Sequence, residues 1–148
     1  MDGDAAWPAA LARAARCDAP EGRLWLSDRG AAVALAAGLG RTTRWLRLGL
    51  VIQPSRRALT VLAKQLTGLD VLLAGRVDIA VDQGAGDAEA AEVTGVLREL
   101  SSGRPLSHSG PRVRSEGARC LPPSRQQPLP VYRVTGSGPD WVEVVQPG

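Results

Sequence analysis

The side chains of this 148-residue chain that could do chemistry gather at three points: Ser27, Asp28 and Arg29; Gln53 before Pro54; and Asp82 and Gln83 before Gly84, Ala85 and Gly86. A hydroxyl, a carboxylate and an amide can orient a polar ring through hydrogen bonds. A guanidinium such as Arg29 is effectively always charged, so it can hold a phosphate or carboxylate but shuttles protons poorly. Glycines at 84 and 86 let the backbone come close to a ring or phosphate. Plainer roles stand beside each of these. Asp28 suits the cap of a following helix with Arg29 solvated, Gln53 can satisfy loop amides, and Gly84-Ala85-Gly86 lacks the third glycine of the dinucleotide fingerprint. His108 is the sole histidine and sits in SHSGP with no acidic residue nearby in sequence, so a solvated loop histidine is expected there and a catalytic triad is not. Cys17 and Cys120 fall in neither a CxxC nor a metal-ligand spacing, which predicts two inert thiols and no metal site.

The three points share a position because each follows an apolar run. Residues 45–52 are apolar apart from Arg47 and end at Pro54, as a strand covered on both faces does. Ser55 is placed to cap a helix in which Leu59, Leu62, Leu66 and Leu69 recur every three or four residues, while Arg57, Lys64 and Gln65 lie off that stripe. Gly75 supplies a left-handed terminus, and Val77, Ile79 and Val81 then alternate with Asp78, Ala80 and Asp82. Upstream, Asp4 and Pro8 suit the start of a helix, residues 23–27 a strand and residues 31–40 a helix. Downstream, residues 88–100 suit a helix and residues 129–134 a strand. Between them, residues 101–128 are polar and rich in proline and arginine, which predicts an excursion outside the core with at most a short hairpin. Strands alternating with helices specify an α/β fold with about four parallel strands, whose ligands lie beyond the carboxyl ends. Two architectures remain open: half of a TIM barrel, or a small doubly wound sheet.

The segment LRLGLVIQPSRRALTVLAKQLTGLDVLLAGRVDIAVDQGAG resembles the central part of the bacterial luciferase-like monooxygenase family, and the likeness continues upstream in WPAALARAARCDAPEGRLWLSDR and, more weakly, downstream in SHSGPRVR and PLPVYRVTGSGP. The resemblance implies a TIM-barrel fold, FMN or a deazaflavin coenzyme, a small organic substrate, and Ser27, Arg29, Gln53, Asp82, Gly84 and Gly86 around the cofactor. Three departures accompany it. Arg29 stands where the deazaflavin-using branch often has histidine, Asp82 and Gln83 precede the Gly-Ala-Gly turn as an insertion, and 148 residues fall short of the roughly 250 of a complete barrel. Against the family pattern the chain lacks the first strand and everything after about the fifth, with the barrel loops that commonly bind phosphate among the missing parts. A second expectation follows: a catalytically inactive, truncated relative that acts as a dimerisation or protein-interaction module. An open half-barrel exposes apolar surface, so a homodimer is expected in either case.

Composition narrows the partners further. The +3 formal charge comes from 17 arginines and one lysine against 15 acids, scattered along the chain without interleaved stacking aromatics, so nucleic-acid binding is not expected. The longest small apolar run, residues 31–39, is shorter than the ~20 residues that span a bilayer, and the start MDGDAAWPAAL lacks a basic leader with a long apolar centre. These features predict a single domain over residues 1–148, with no membrane partner, in the cytoplasm.

Overall fold

The computed structural model describes residues 3–27, 32–53, 58–82, 86–135 and 143–145. Four helices and seven strands follow in the order α1 (Gly3–Cys17), β1 (Arg23–Ser27), α2 (Ala32–Thr42), β2 (Arg47–Ile52), α3 (Leu59–Leu72), β3 (Val77–Val81), α4 (Asp87–Ser101), β4 (Leu106–Ser109), β5 (Arg114–Ala118), β6 (Val131–Thr135) and β7 (Glu143–Val145). One sheet has the order β1-β2-β3-β6-β7, and β4 and β5 form a separate antiparallel hairpin. β1, β2, β3 and β6 are mutually parallel, whereas β7 runs antiparallel to β6.

Strand order decides between the two architectures left open by the sequence. The parallel strands are laid down one beside the next with no reversal, so right-handed crossovers put every helix on the same face. Alternation along each strand agrees. Leu24, Leu48, Leu50, Ile52, Val77, Ile79, Val81 and Val131 belong to a core shared with α1 to α4, while Val51 and Ala80 form a separate cluster with Trp25 and Tyr132 that contains no helix residue. A doubly wound sheet would carry helices against both faces. The fold is therefore α/β, a partial TIM barrel with four parallel strands, as the resemblance implies. Among the described residues no helix is long and apolar enough to cross a membrane.

Local chemistry explains most element ends. β2 starts at Arg47, two residues later than its apolar run, because both Asp18 carboxylate oxygens are engaged by the turn before it: Oδ1 accepts from the N–H of Trp45 at 2.7 Å and Leu46 at 2.9 Å, and Oδ2 from that of Arg44 at 3.0 Å. These donors also hold the Asp18 carboxyl below its usual range. Trp45 is consequently exposed, with the Arg44 guanidinium 4.8 Å over its ring. α3 buries Leu59, Leu62, Leu66 and Leu69 as their spacing predicts, but its N-cap is Ala58 with no side-chain cap bond, and Ser55 lies outside the described residues. Its far end is a Schellman turn in which the Gly75 N–H donates to Asp70 O at 2.9 Å and that of Ala74 to Val71 O at 3.2 Å. The left-handed stretch begins one residue before Gly75, at Ala74. Asp4 lies inside α1 and not at its cap, and Pro8 falls inside the helix as well.

The excursion also corrects one expectation. Its hairpin is present, but Leu106, Val113 and Cys120 are buried in the main core, so residues 101–128 are not wholly outside it. A few apolar residues in and beside the hairpin suffice to seat it, and so short a signal is hidden among the ten prolines and arginines of residues 101–128. Both cysteines are free thiols; burial pushes that of Cys120 up.

Candidate strand-end site on the concave face

The concave face is built in layers because every second residue of each parallel strand points to it. At its base Asp78 is fully buried and paired with two arginines, Arg23 Nε at 2.9 Å and Arg47 at 2.7 Å. The Asp78 hydrogen bond, opposed by partial burial, raises the hold of Arg47 on its proton. Arg47 also donates to Gln126 Oε1 at 2.8 Å, and the Gln126 amide donates to Asp70 Oδ1 at 2.7 Å and to Val77 O at 2.6 Å. The buried Asp70 carboxylate accepts further bonds from the Ser124 hydroxyl and, at 3.0 Å, from the Gln126 backbone N–H. Two buried carboxylates are thus satisfied, and the excursion is tied beneath β2 and β3.

The middle layer is small and apolar, flanked by aromatics. A Cβ on Gly49 would lie 2.1 Å from the Trp25 ring, so only glycine there lets the indole fold across β2. Trp25 and Tyr132 meet edge to face with centroids 6.3 Å apart, over a floor of Val51 and Ala80. The Arg23 guanidinium carbon stands 6.0 Å from the indole centroid.

The upper layer holds the residues selected from sequence. Ser27 pairs in register with Val51, and Ile52 with Val81, so Ser27, Gln53 and Asp82 stand at the same end of three neighbouring strands. Ser27 is exposed, while Gln53 and Asp82 are half-buried; the Asp82 N–H donates to Ile52 O at 3.0 Å. Gly86 adopts φ +88, and among the described residues nothing lies within 4 Å of where its Cβ would be, which suits close approach of a ligand. Arg29 and Gly84 fall outside the described residues, as do Asp28, Gln83 and Ala85. Sequence reasoning missed Trp25, Gly49, Asp78, Ala80 and Tyr132. Alternation within each strand could have found them, since they are the inward partners of the residues read as core.

His108 departs from its expected role. Its Nε2 lies 2.9 Å from Glu92 Oε1 on α4, and the same carboxylate accepts from the N–H of Val113 at 3.2 Å and of Arg112 at 3.3 Å. The His108 hydrogen bond, then those backbone donors, hold the Glu92 carboxyl below its usual range. An acid does orient the ring, 16 residues upstream, and the histidine is half-buried. The pair borders a groove of about 410 Å³ on the helix side of the sheet, so it belongs to the packing of the hairpin on α4 and not to the strand-end layer. Among the described residues no group of three or more His, Cys, Asp or Glu could hold a metal ion.

The fold is shared with several solved proteins. It matches the coenzyme F420 dependent tetrahydromethanopterin reductase from Methanopyrus kandleri with a TM-score of 0.72 at 19% identity, over 85% of this chain and 46% of the reductase. It matches the monooxygenase RslO1 from Streptomyces bottropensis with a TM-score of 0.75 at 19% identity, over 87% of this chain and 47% of the other. The oxygenating constituent of 3,6-diketocamphane monooxygenase from Pseudomonas putida, solved with FMN, gives 0.65 at 13% identity over 87% and 43%. The chain therefore spans less than half the length of each of these. No protein-family model matches the sequence, and neither does any curated protein. The likeness to luciferase-like monooxygenases carried by the sequence is found again in the fold.

Proposed function

We propose that this chain binds the ring of FMN or of a deazaflavin coenzyme at the carboxyl ends of β1, β2 and β3 and serves a luciferase-like oxidoreductase or monooxygenase reaction on a small organic substrate. One observation carries the reading: Ser27, Gln53 and Asp82 lie at the carboxyl ends of three adjacent parallel strands, beside the cluster of Trp25, Val51, Ala80 and Tyr132. The likeness to an F420-dependent reductase and an FMN-bound monooxygenase supports the same coenzyme class.

The residues present suit the ring. Gly49, Val51 and Ala80 are covered by Trp25 and Tyr132, so the half-buried rings themselves present the apolar surface against which a flat heterocycle can lie. Hydroxyl, amide and carboxylate groups at Ser27, Gln53 and Asp82 can fix the polar edge by hydrogen bonds. The open backbone at Gly86, with Gly84 beside it in sequence, permits close approach, and Arg29 is the cation available for a phosphate. The coenzyme, when bound, supplies the electron or hydride chemistry. The chain's own contribution is to orient the ring and to keep water from its covered side. In this reading each copy of the chain is one domain in the cytoplasm, a compartment in which two unpaired thiols persist.

A second reading, a catalytically inactive relative that acts by association, is favoured by one observation: among the described residues no strand lies outside β1, so that edge of the sheet can take a partner. Titration separates the two. Adding FMN or the deazaflavin and following cofactor fluorescence should give saturable quenching at micromolar concentration, and Gln53→Ala, which removes a half-buried strand-end amide, should weaken binding at least tenfold while leaving the circular dichroism unchanged. No saturation with either coenzyme leaves the association reading standing.

A further inference from the structure

We propose that two copies of this chain join through β1, pairing antiparallel about a two-fold axis at Trp25 so that their sheets become one. This rests on the open sheet and not on cofactor binding. The two edges of the sheet differ: β7 covers β6 with an antiparallel strand, whereas among the described residues no strand lies outside β1. Burial registers the difference. All residues of β3 are buried, but in β1 only Leu24 is, with Trp25 and Leu26 half-buried.

The outward hydrogen-bonding groups of β1 can be assigned. Arg47 N–H donates to Gly22 O at 3.0 Å, so Gly22, Leu24 and Leu26 turn their backbone groups toward β2, and by alternation Arg23, Trp25 and Ser27 turn theirs away from it. Such an edge templates another strand unless charge, proline or a bulge blunts it; β1 has neither proline nor bulge, and its one charge, Arg23, is drawn onto the concave face by Asp78 at 2.9 Å.

A second copy is the occupant because the strand complements itself. A closed two-fold contact needs a patch that matches its own image. About Trp25, Leu24 faces Leu26 of the second copy, Arg23 faces neutral Ser27, and no like charges oppose one another. The pairs Trp25 with Trp25 and Arg23 with Ser27 consist of the outward-facing residues, which are those able to exchange both N–H···O bonds. An axis normal to the sheet keeps each face on its own side, so helix faces helix and concave face adjoins concave face. The Trp25 rings do not obstruct it, because each folds over its own Gly49.

Sedimentation equilibrium of the full chain between about 5 and 200 μM tests this. The expected result is a mass approaching twice 15.5 kDa. Arg23→Pro removes an outward N–H at the first strand position, where proline keeps the bonds to β2, and should shift dimerisation at least tenfold toward monomer; Arg23→Ala, which keeps the N–H but loses the Asp78 ion pair, should not. Amide hydrogen exchange of the wild type provides a readout that needs no variant: Trp25 and Ser27 should be protected at high concentration and exchange fast at low concentration. A monomer throughout the range, a dimer indifferent to Arg23→Pro, or protection of these amides in the monomer would each overturn the proposal, the last because another part of the chain would then cover the edge.

Discussion

Asp78 shows how much of the concave face depends on one carboxylate. It is fully buried yet answers two arginines from neighbouring strands, with Arg47 passing the network on to Gln126 and Asp70. Removing one partner of a buried pair leaves the other without compensation, although here both arginines are partly exposed and water can recover some of the loss. Asp78→Ala should therefore destabilise the protein by roughly 2–4 kcal/mol, measured as a lower midpoint in urea unfolding with an unchanged slope. Ala74 works in the opposite direction. Its φ of 55 places an alanine where a left-handed conformation costs roughly 1–2 kcal/mol, while glycine there loses about 0.5–1 kcal/mol of chain entropy. Ala74→Gly should stabilise by about 0.5–1 kcal/mol in the same assay, and a loss of stability would show that the Schellman turn is not strained at that residue.

At the scale of elements, the hairpin of β4 and β5 is fastened to α4 by Glu92, which accepts from His108 and from two backbone N–H groups, and by Glu89, 2.5 Å from Arg112 Nε. Glu92 has a lowered pKa in the folded state, so its contribution is complete above the unfolded value of about 4.3 and disappears as pH falls through the lower folded value. Protection of the β4 and β5 amides, measured relative to intrinsic exchange, which itself slows with acid, should fall as pH drops from about 4.5 toward 3, and Glu92→Gln should show the lower protection already at pH 7. Equal protection in wild type and variant would remove Glu92 as the fastening. Sequence made the βα alternation legible because Leu59, Leu62, Leu66 and Leu69, and Val77, Ile79 and Val81, each obey one period. It did not reveal the hairpin's contact with α4, since Glu92 and His108 are joined only by tertiary folding. The start of β2 was misread for a similar reason: Asp18, 27 residues earlier than Trp45, holds that turn out of the sheet.

For the whole molecule, order of strands matters more than their number. Sequential parallel neighbours put all helices outside and leave one concave surface whose upper rim gathers Ser27, Gln53 and Asp82, positions chosen from sequence because strand ends are where α/β folds hold ligands. The rim was therefore readable, while the floor beneath it was not, because Gly49 and Ala80 read as neutral fillers until the indole of Trp25 is seen lying across the strand. The most direct measurement is a nitrogen-15 NMR titration of the protein with FMN and with the deazaflavin. The account predicts saturable shifts confined to the backbones of Ser27, Gln53, Asp82 and Gly86 and to the Trp25 indole N–H, with the hairpin and the outer helix faces unmoved. Shifts centred on the groove beside His108, or none at millimolar coenzyme, would contradict it.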